Sequence, residues 1–399
     1  MRPAAFLLGA VALPVAAAAQ TTTDSVPDGS ATPGWLGRRI SAQYQLLAEA
    51  QYNWSRLRDD SRVNPDNAGR LAHRDDEVRL FPSADLTIGP AKLRGDVRAS
   101  WTETPPAPHA ARHPFDAEVQ ELRAGFSLGS AVYVVAGRQR LGWGSGTMWN
   151  PARVEPQKDP LRPGNRLRGA DAARVELTHG TSSLNVLVLP AQLGQPASTA
   201  ARVEGTVHGV ALAGSVIAPA TSAWRVGYDA SLARDRFTLH LEGTARGRSL
   251  RPSVDSLGTL TPRADGGLAG LYHNVVVGGM LVPAPSLYVV AEYQYQSDYA
   301  SATEDSLFVR FLPRNGQLYD PIGRGRHRLF AQIRRASMSG SAVSVLGFAD
   351  LVTHQTIVAP TVELARGGLS LSVAPYLYTD RAPVSVYRAR LQTVLSAYF

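Results

Sequence analysis

The chain has no cysteine among its 399 residues. That excludes disulfides, a thiolate nucleophile, a cysteine-ligated metal and lipid attachment at a mature N-terminal cysteine. Lysine is almost missing: of 41 basic residues only Lys92 and Lys158 are not arginine. Charge is sparse, 19% of residues against 44% hydrophobic, with 36 glycines and a mean hydropathy of −0.12. Beyond the N-terminus no apolar run approaches the roughly 20 residues of a spanning helix, which argues against a helical membrane protein. The pI near 9.9 does not point to nucleic acid, because the arginines are spread along alternating positions instead of gathering into one patch.

Residues 1–19 read as a signal peptide: Arg2, an apolar stretch from Ala4 to Val15, then Ala17-Ala18-Ala19 as a small-residue cleavage site. Residues 20–38, rich in Thr, Ser, Pro, Gly and Asp without periodicity, are expected to be a flexible periplasmic lead. The rest, 39–399, is expected to form a single domain.

That domain alternates. Ala42, Tyr44, Leu46, Ala48, Ala50, Tyr52 and Trp54 interleave with Ser41, Gln43, Gln45, Glu49, Gln51 and Asn53, a period of two that a helix would scatter around its cylinder. Further strands are expected at 75–88, 91–102, 117–128, 131–143, 170–179 and 182–190. In the stretch 91–102, Lys92, Arg94, Asp96, Arg98 and Ser100 share one face. A basic residue facing lipid at mid-depth costs about 2–4 kcal/mol, so this face must point inward.

Long polar connections (56–74, 103–116, 144–169, 191–198, 247–267, 301–324) alternate with tight ones at Gly89-Pro90, Gly129-Ser130, Gly180-Thr181, Arg234-Asp235, Ala284-Pro285, Ser339-Gly340 and Gly367-Gly368. The alternations counted from the two ends clash unless residues 203–218 hold two strands hinged at His208-Gly209. The split yields eighteen strands, with sixteen as the alternative. Spanning backbone groups must pair internally, so the strands must close. The expected fold is all-β, a transmembrane antiparallel up-and-down β-barrel.

The last thirteen residues carry Tyr387, Ala389, Leu391, Thr393, Leu395, Ala397 and Phe399 on one face and Arg388, Arg390, Gln392 and Ser396 on the other. This resembles the C-terminal recognition strand of bacterial outer-membrane barrels, although Ala397 is smaller than the residue often found there. The resemblance implies an assembly signal at Leu391, Leu395 and Phe399, read by the barrel assembly machinery, and a final strand that pairs with the first. It implies the outer membrane of a Gram-negative cell, with outer-membrane lipid around the barrel.

The stretch Gly137-Arg138-Gln139 through Gly142-Trp143-Gly144-Ser145-Gly146-Thr147-Met148-Trp149-Asn150-Pro151, followed by Asp159-Pro160 and Gly169-Ala170-Asp171-Ala172, is the most motif-like part of the chain. It resembles a family of largely uncharacterised porin-like outer-membrane proteins, and the resemblance implies a transport barrel. Gly142-x-Gly144-x-Gly146 is no nucleotide loop, because the Lys-Ser/Thr pair and the following apolar helix are missing. Gly142, Trp143, Gly144, Trp149, Asn150 and Pro151 define a loop that either folds into the barrel or stays outside, stiffened by proline.

By the face argument Arg94, Asp96, Arg98, Arg123, Arg174, Arg225, Glu242, Glu292, Arg388 and Arg390 are expected to line the lumen, joined by Glu121, Glu176 and Asp229. Facing rows of arginine and acid create a transverse field, and an arginine excess favours anions. The plainer alternative is structural pairing of these charges. Enzyme signals are weak: His109 and His113 sit among Pro and Ala, and Asp350 with His354 is no better than chance. No catalytic residue, metal or cofactor is expected. The expectation is a porin-like channel for passive diffusion of small polar solutes, with an anionic preference. The alternative is a non-conducting barrel, a rim hydrolase or a structural surface protein. Oligomeric state stays open.

Overall fold

The computed structural model describes residues 40–61, 65–67, 73–102, 115–153, 169–191, 197–220, 224–249, 252–263, 270–315, 324–380 and 387–399. The expected signal segment, the lead, His109 and His113 lie outside the described residues.

The first half of the barrel comprises β1 (Ile40–Leu57), β2 (Arg74–Ile88), β3 (Ala91–Thr102), β4 (Phe115–Leu128), β5 (Val132–Gln139), β6 (Ala170–His179), β7 (Ser182–Leu189), β8 (Ser198–Val207) and β9 (Val210–Pro219). The second half begins with β10 (Arg225–Arg234) and β11 (Phe237–Arg246). A small separate hairpin, β12 (Pro252–Val254) with β13 (Leu260–Pro262), then interrupts the wall. The wall resumes with β14 (Tyr272–Ala284), β15 (Leu287–Gln296), β16 (His327–Ala336), β17 (Ala342–Asp350), β18 (Gln355–Arg366), β19 (Leu369–Thr379) and β20 (Tyr387–Tyr398).

Each wall strand pairs antiparallel with its neighbours, giving one 18-stranded sheet. The sheet closes because β20 pairs with β1, from Leu47↔Tyr398 to Leu57↔Tyr387. At the seam the Leu46 N–H donates to the Phe399 carbonyl (3.1 Å) and the Phe399 N–H to the Leu46 carbonyl (2.9 Å). Closure leaves no sheet edge for hydrocarbon to meet, which is the condition for spanning a membrane with strands.

The hinge falls where parity requires it. His208 and Gly209 both have positive φ, 50° and 80°, the left-handed pair that a two-residue turn needs to match the twist of its strands. Two long connections depart from plain loops. The 247–267 connection contains the β12–β13 hairpin, and 301–324 contains α1 (Ala302–Asn315). Ser301 caps that helix: its carbonyl takes the Asp305 N–H at 2.8 Å and its Oγ the Glu304 N–H at 3.3 Å. Glu304 and Asp305 also place negative charge in the first turn.

The two faces separate as the pleat dictates. Leu93, Leu122, Val188, Val203 and Leu239 point outward and are 46–61% exposed, an apolar band suited to lipid. Asn53, Gln120, Glu242 and Gln294 point inward and are 0–1% exposed. A buried interior composed of polar residues needs partners, and the loop after β5 supplies many of them.

Candidate functional site

The strand expected over 131–143 stops at Gln139, whose partner Ala170 is the first residue of β6; within it Gly137 has φ 113° and no room for a side chain. A Cβ there would lie 2.3 Å from the Leu122 carbonyl oxygen. Beyond Gln139, Leu141, Trp143, Met148, Trp149 and Ala152 are all buried. Of the two placements open from the sequence, residues 141–153 take the inward one; 154–168 lie outside the described residues.

Two carboxylates hold the turn. Glu242 of β11 accepts the N–H groups of Ser145 (2.8 Å), Gly146 (2.9 Å) and Ala152 (2.7 Å). Glu292 of β15 accepts those of Thr147 (2.5 Å), Met148 (2.9 Å) and Trp149 (3.1 Å), and His240 Nε2 lies 3.1 Å from Oε1, the oxygen that takes the Thr147 N–H. Six main-chain donors that strand pairing cannot satisfy are thereby paired. Glycine is needed where the turn touches its anchors. At Gly144 (φ 89°) a Cβ would sit 2.1 Å from Asn150 Oδ1 and 2.6 Å from Glu242 Oε1, and at Gly146 one would sit 1.8 Å from the Trp149 carbonyl oxygen. Asn150 ties the turn on itself, donating Nδ2 to the Trp143 carbonyl at 2.6 Å, and Pro151 is buried behind it. Gly142 meets nothing within 4 Å of its would-be Cβ, and nothing in the structure explains it.

The two tryptophans dock on different walls. Trp143 joins Leu141, Leu187, Ala200 and Ile217 on β7–β9, with the Arg202 guanidinium 5.9 Å from its ring centroid. Trp149 meets Phe330 and Phe348 edge-on at 6.4 and 6.2 Å, within a cluster reaching from β14 to β19. Arg328 lies 5.7 Å above the Trp149 ring. The loop therefore crosses the interior from one apolar wall patch to another, each indole beneath an arginine, an arrangement favourable by about 0.5–2 kcal/mol per pair.

The remaining wall, β20 through β5, is charged and paired. Arg94 reaches Asp85 and Glu121, both at 3.1 Å, and Arg123 meets the other Glu121 oxygen at 2.8 Å. Arg98 lies 3.0 Å from Asp116 and 3.2 Å from Glu118, and Arg140 binds the buried Asp96 at 2.9 Å. Arg390 stands 3.8 Å from Asp75, while Arg388, 3.4 Å from Asp60, is half-exposed at the rim. Elsewhere Arg174 is 3.8 Å from Glu176, and Arg202 joins Asp229 at 2.7 Å. At the rim Arg58 bonds Asp60 (3.2 Å) and Asp380 (2.5 Å), and the Arg58 hydrogen bond holds the Asp60 carboxyl below its ordinary value.

Thus the inward-facing residues divide by task. Glu242 and Glu292 face inward, but at 0% and 2% exposure they meet main-chain donors and not water. His240, Phe330, Phe348, Arg202 and Arg328 matter to the loop and carried no signal beyond their place on an inward face. Arg138 and Asp171, from the two ends of the motif, form a two-pronged ion pair with both contacts at 2.8 Å. Asp350 does not orient His354: its carboxylate accepts the N–H groups of Gly325, Val352 and Thr353. Among the described residues no His/Asp/Glu cluster could hold a metal ion.

No protein-family model matches the chain, and no curated sequence matches it. Solved structures do share its fold. OccK8 (OprE) of Pseudomonas aeruginosa is 10% identical with a TM-score of 0.55, the match covering 90% of this chain and 98% of that one. OpdK of the same organism, solved with vanillate, is 11% identical with the same TM-score and coverage. A BenF-like porin from Pseudomonas fluorescens is 10% identical at 0.55, again covering 90% and 98%.

Proposed function

We propose that the chain is an outer-membrane channel for passive diffusion of small polar solutes, narrowed by the 141–153 loop. The observation that carries this reading is the loop itself. It crosses a closed barrel, is clamped by buried carboxylates, and its described residues 141–153 occupy the apolar wall patches of β7–β9 and β14–β19, while the β20–β5 wall carries arginine–carboxylate pairs. Solutes passing that wall meet alternating charges at short range, a field that aligns dipolar molecules.

An anionic preference is the finer expectation. The pairing of Arg94, Arg98, Arg123 and Arg140 with carboxylates favours a weak one, since paired charges cancel much of the net field. The competing reading is a non-conducting barrel, favoured by the burial of both loop tryptophans. Purified protein in planar bilayers separates the two. Discrete conductance steps support the channel, and their absence in protein shown to be inserted and folded would sink it. A reversal potential favouring cations in a salt gradient would remove the anionic preference while leaving the channel.

A further inference from the structure

Arg225 opens β10 and Arg246 closes β11, and the register sets them directly opposite each other on the inward face at the long-loop end of the wall. Like charges so placed repel. Arg246 is relieved by Asp298, whose carboxylate it meets at 2.5 Å. That carboxylate is already shared with Ser249 Oγ and Gln296 Nε2, each at 3.1 Å. Arg225 has no such partner. It donates to the carbonyl of Arg153 at 2.7 Å, and among the described residues no carboxylate pairs with it. Arg153, in the inward loop, has its own Nε buried without a hydrogen-bond partner.

Arg225 thus faces Arg246 across the register with only a main-chain carbonyl as its acceptor, whereas Arg94, Arg98, Arg123, Arg140 and Arg202 each have an acid in contact. A guanidinium carries five N–H donors in a planar fork matched to two-oxygen acceptors. Arg225 commits one hydrogen bond to a neutral carbonyl, so most of its fork is unused at a half-buried position. The chemistry lacking here is a small anion with two or more oxygens on one centre.

We propose that Arg225, with Arg246 beside it, binds a small oxyanion, a carboxylate or inorganic phosphate, beside the main chain of Arg153. The bound anion takes the free fork of Arg225 and cancels its repulsion with Arg246. It lies against the main chain at Arg153, whose carbonyl Arg225 already meets. The proposal deepens the channel reading only in how the anion arrives; the site itself does not depend on conduction.

The test is isothermal titration of the purified, full-length barrel in detergent with sodium phosphate and, separately, sodium acetate, at constant ionic strength. Wild type, Arg225→Gln and Arg225→Lys are compared, and heat-modifiable gel mobility confirms that each is folded. Saturable binding of at least one anion is expected in the wild type, weakened about tenfold in Arg225→Gln, as for loss of one charge-assisted pair. Arg225→Lys should recover part of that loss, because it restores the charge without the fork. Binding that Arg225→Gln leaves unchanged, or no saturable binding in the wild type, overturns the site. A folded barrel that binds the anion yet never conducts supports the site and refutes the channel, so the two failures are distinguishable.

Discussion

Met148 and Glu292 are separated by 144 positions in the chain, yet the Met148 N–H donates to the Glu292 carboxylate at 2.9 Å inside the barrel. The same carboxylate takes the N–H groups of Thr147 and Trp149. A segment with no strand partner is thus given its hydrogen bonds by side chains from the far wall. The position of the loop depends on two acids, Glu242 and Glu292, and on the two indoles beside them.

Glu292→Gln and Glu242→Gln each replace a charged acceptor by a neutral amide, which keeps one acceptor oxygen and brings an N–H₂ group toward other donors. Each should destabilise the folded barrel by about 3 kcal/mol, since buried hydrogen bonds to charge are the stronger kind. The expected readouts are a lower unfolding temperature by heat-modifiable mobility, and a larger, noisier unit conductance as the loop loosens. Unaltered current in both variants would mean that the loop does not set the constriction.

Trp149→Ala removes the edge contacts to Phe330 and Phe348 and the stacking beneath Arg328. Truncating a buried aromatic costs about 3–5 kcal/mol, and the space left at the wall widens the lumen. Unit conductance should rise above that of the wild type. A fall, with normal assembly, would contradict the assigned role.

Asp96→Asn leaves Arg140 without its carboxylate partner. The wall gains one net positive charge facing solutes, so the reversal potential in a potassium chloride gradient should move toward chloride. No movement would show that this pair stands clear of the path.

Leu122 points outward from the middle of β4 and is 61% exposed. Leu122→Arg places charge against lipid at an expected penalty of about 2–4 kcal/mol, read as slower or lower-yield folding into vesicles. At the seam, deleting Phe399 removes both of its hydrogen bonds to Leu46 and should impair insertion, whereas Arg390→Ala, on the inward face, should insert normally. Normal assembly of the Phe399 deletion would remove the proposed assembly signal.

The rim clasp Asp60–Arg58–Asp380 should respond to acid. The Arg58 hydrogen bond lowers the Asp60 pKa from its ordinary 3.8. A carboxyl depressed in the folded state contributes above its unfolded pKa, and the contribution disappears as pH falls through the folded value. The Asp60 side chain is exposed, so the effect is local. The Ser61 amide, bonded to the Arg58 carbonyl at 3.4 Å, should shift in an NMR titration with a midpoint below the ordinary 3.8. A midpoint above that value would show that the clasp does not govern Asp60.

The barrel was legible because its signal is local and repeated. Alternation places Lys92, Arg94, Asp96 and Arg98 on one face whatever the neighbouring strand, since pleat geometry is a property of the strand itself. The turn at His208-Gly209 was found through parity, a consequence of closure. Strand ends were less legible: β5 stops at Gln139 and not at 143 because its partner β6 begins at Ala170, opposite Gln139, a limit set by the neighbouring strand.

What the amino-acid order determined by itself is the barrel: an apolar outer face, a polar inner face and an even strand number, with the structure deciding for eighteen over sixteen. What only the tertiary structure decided is how the inside is arranged. The 141–153 segment has no period to read, and its partners Glu242 and Glu292 come from 90 to 145 positions away. Whether an inward arginine is paired, as Arg94 is, or left with a carbonyl, as Arg225 is, depends on register across strands and on folded loops. Local periodicity says which way a side chain points; only closure of the ring says what it meets there.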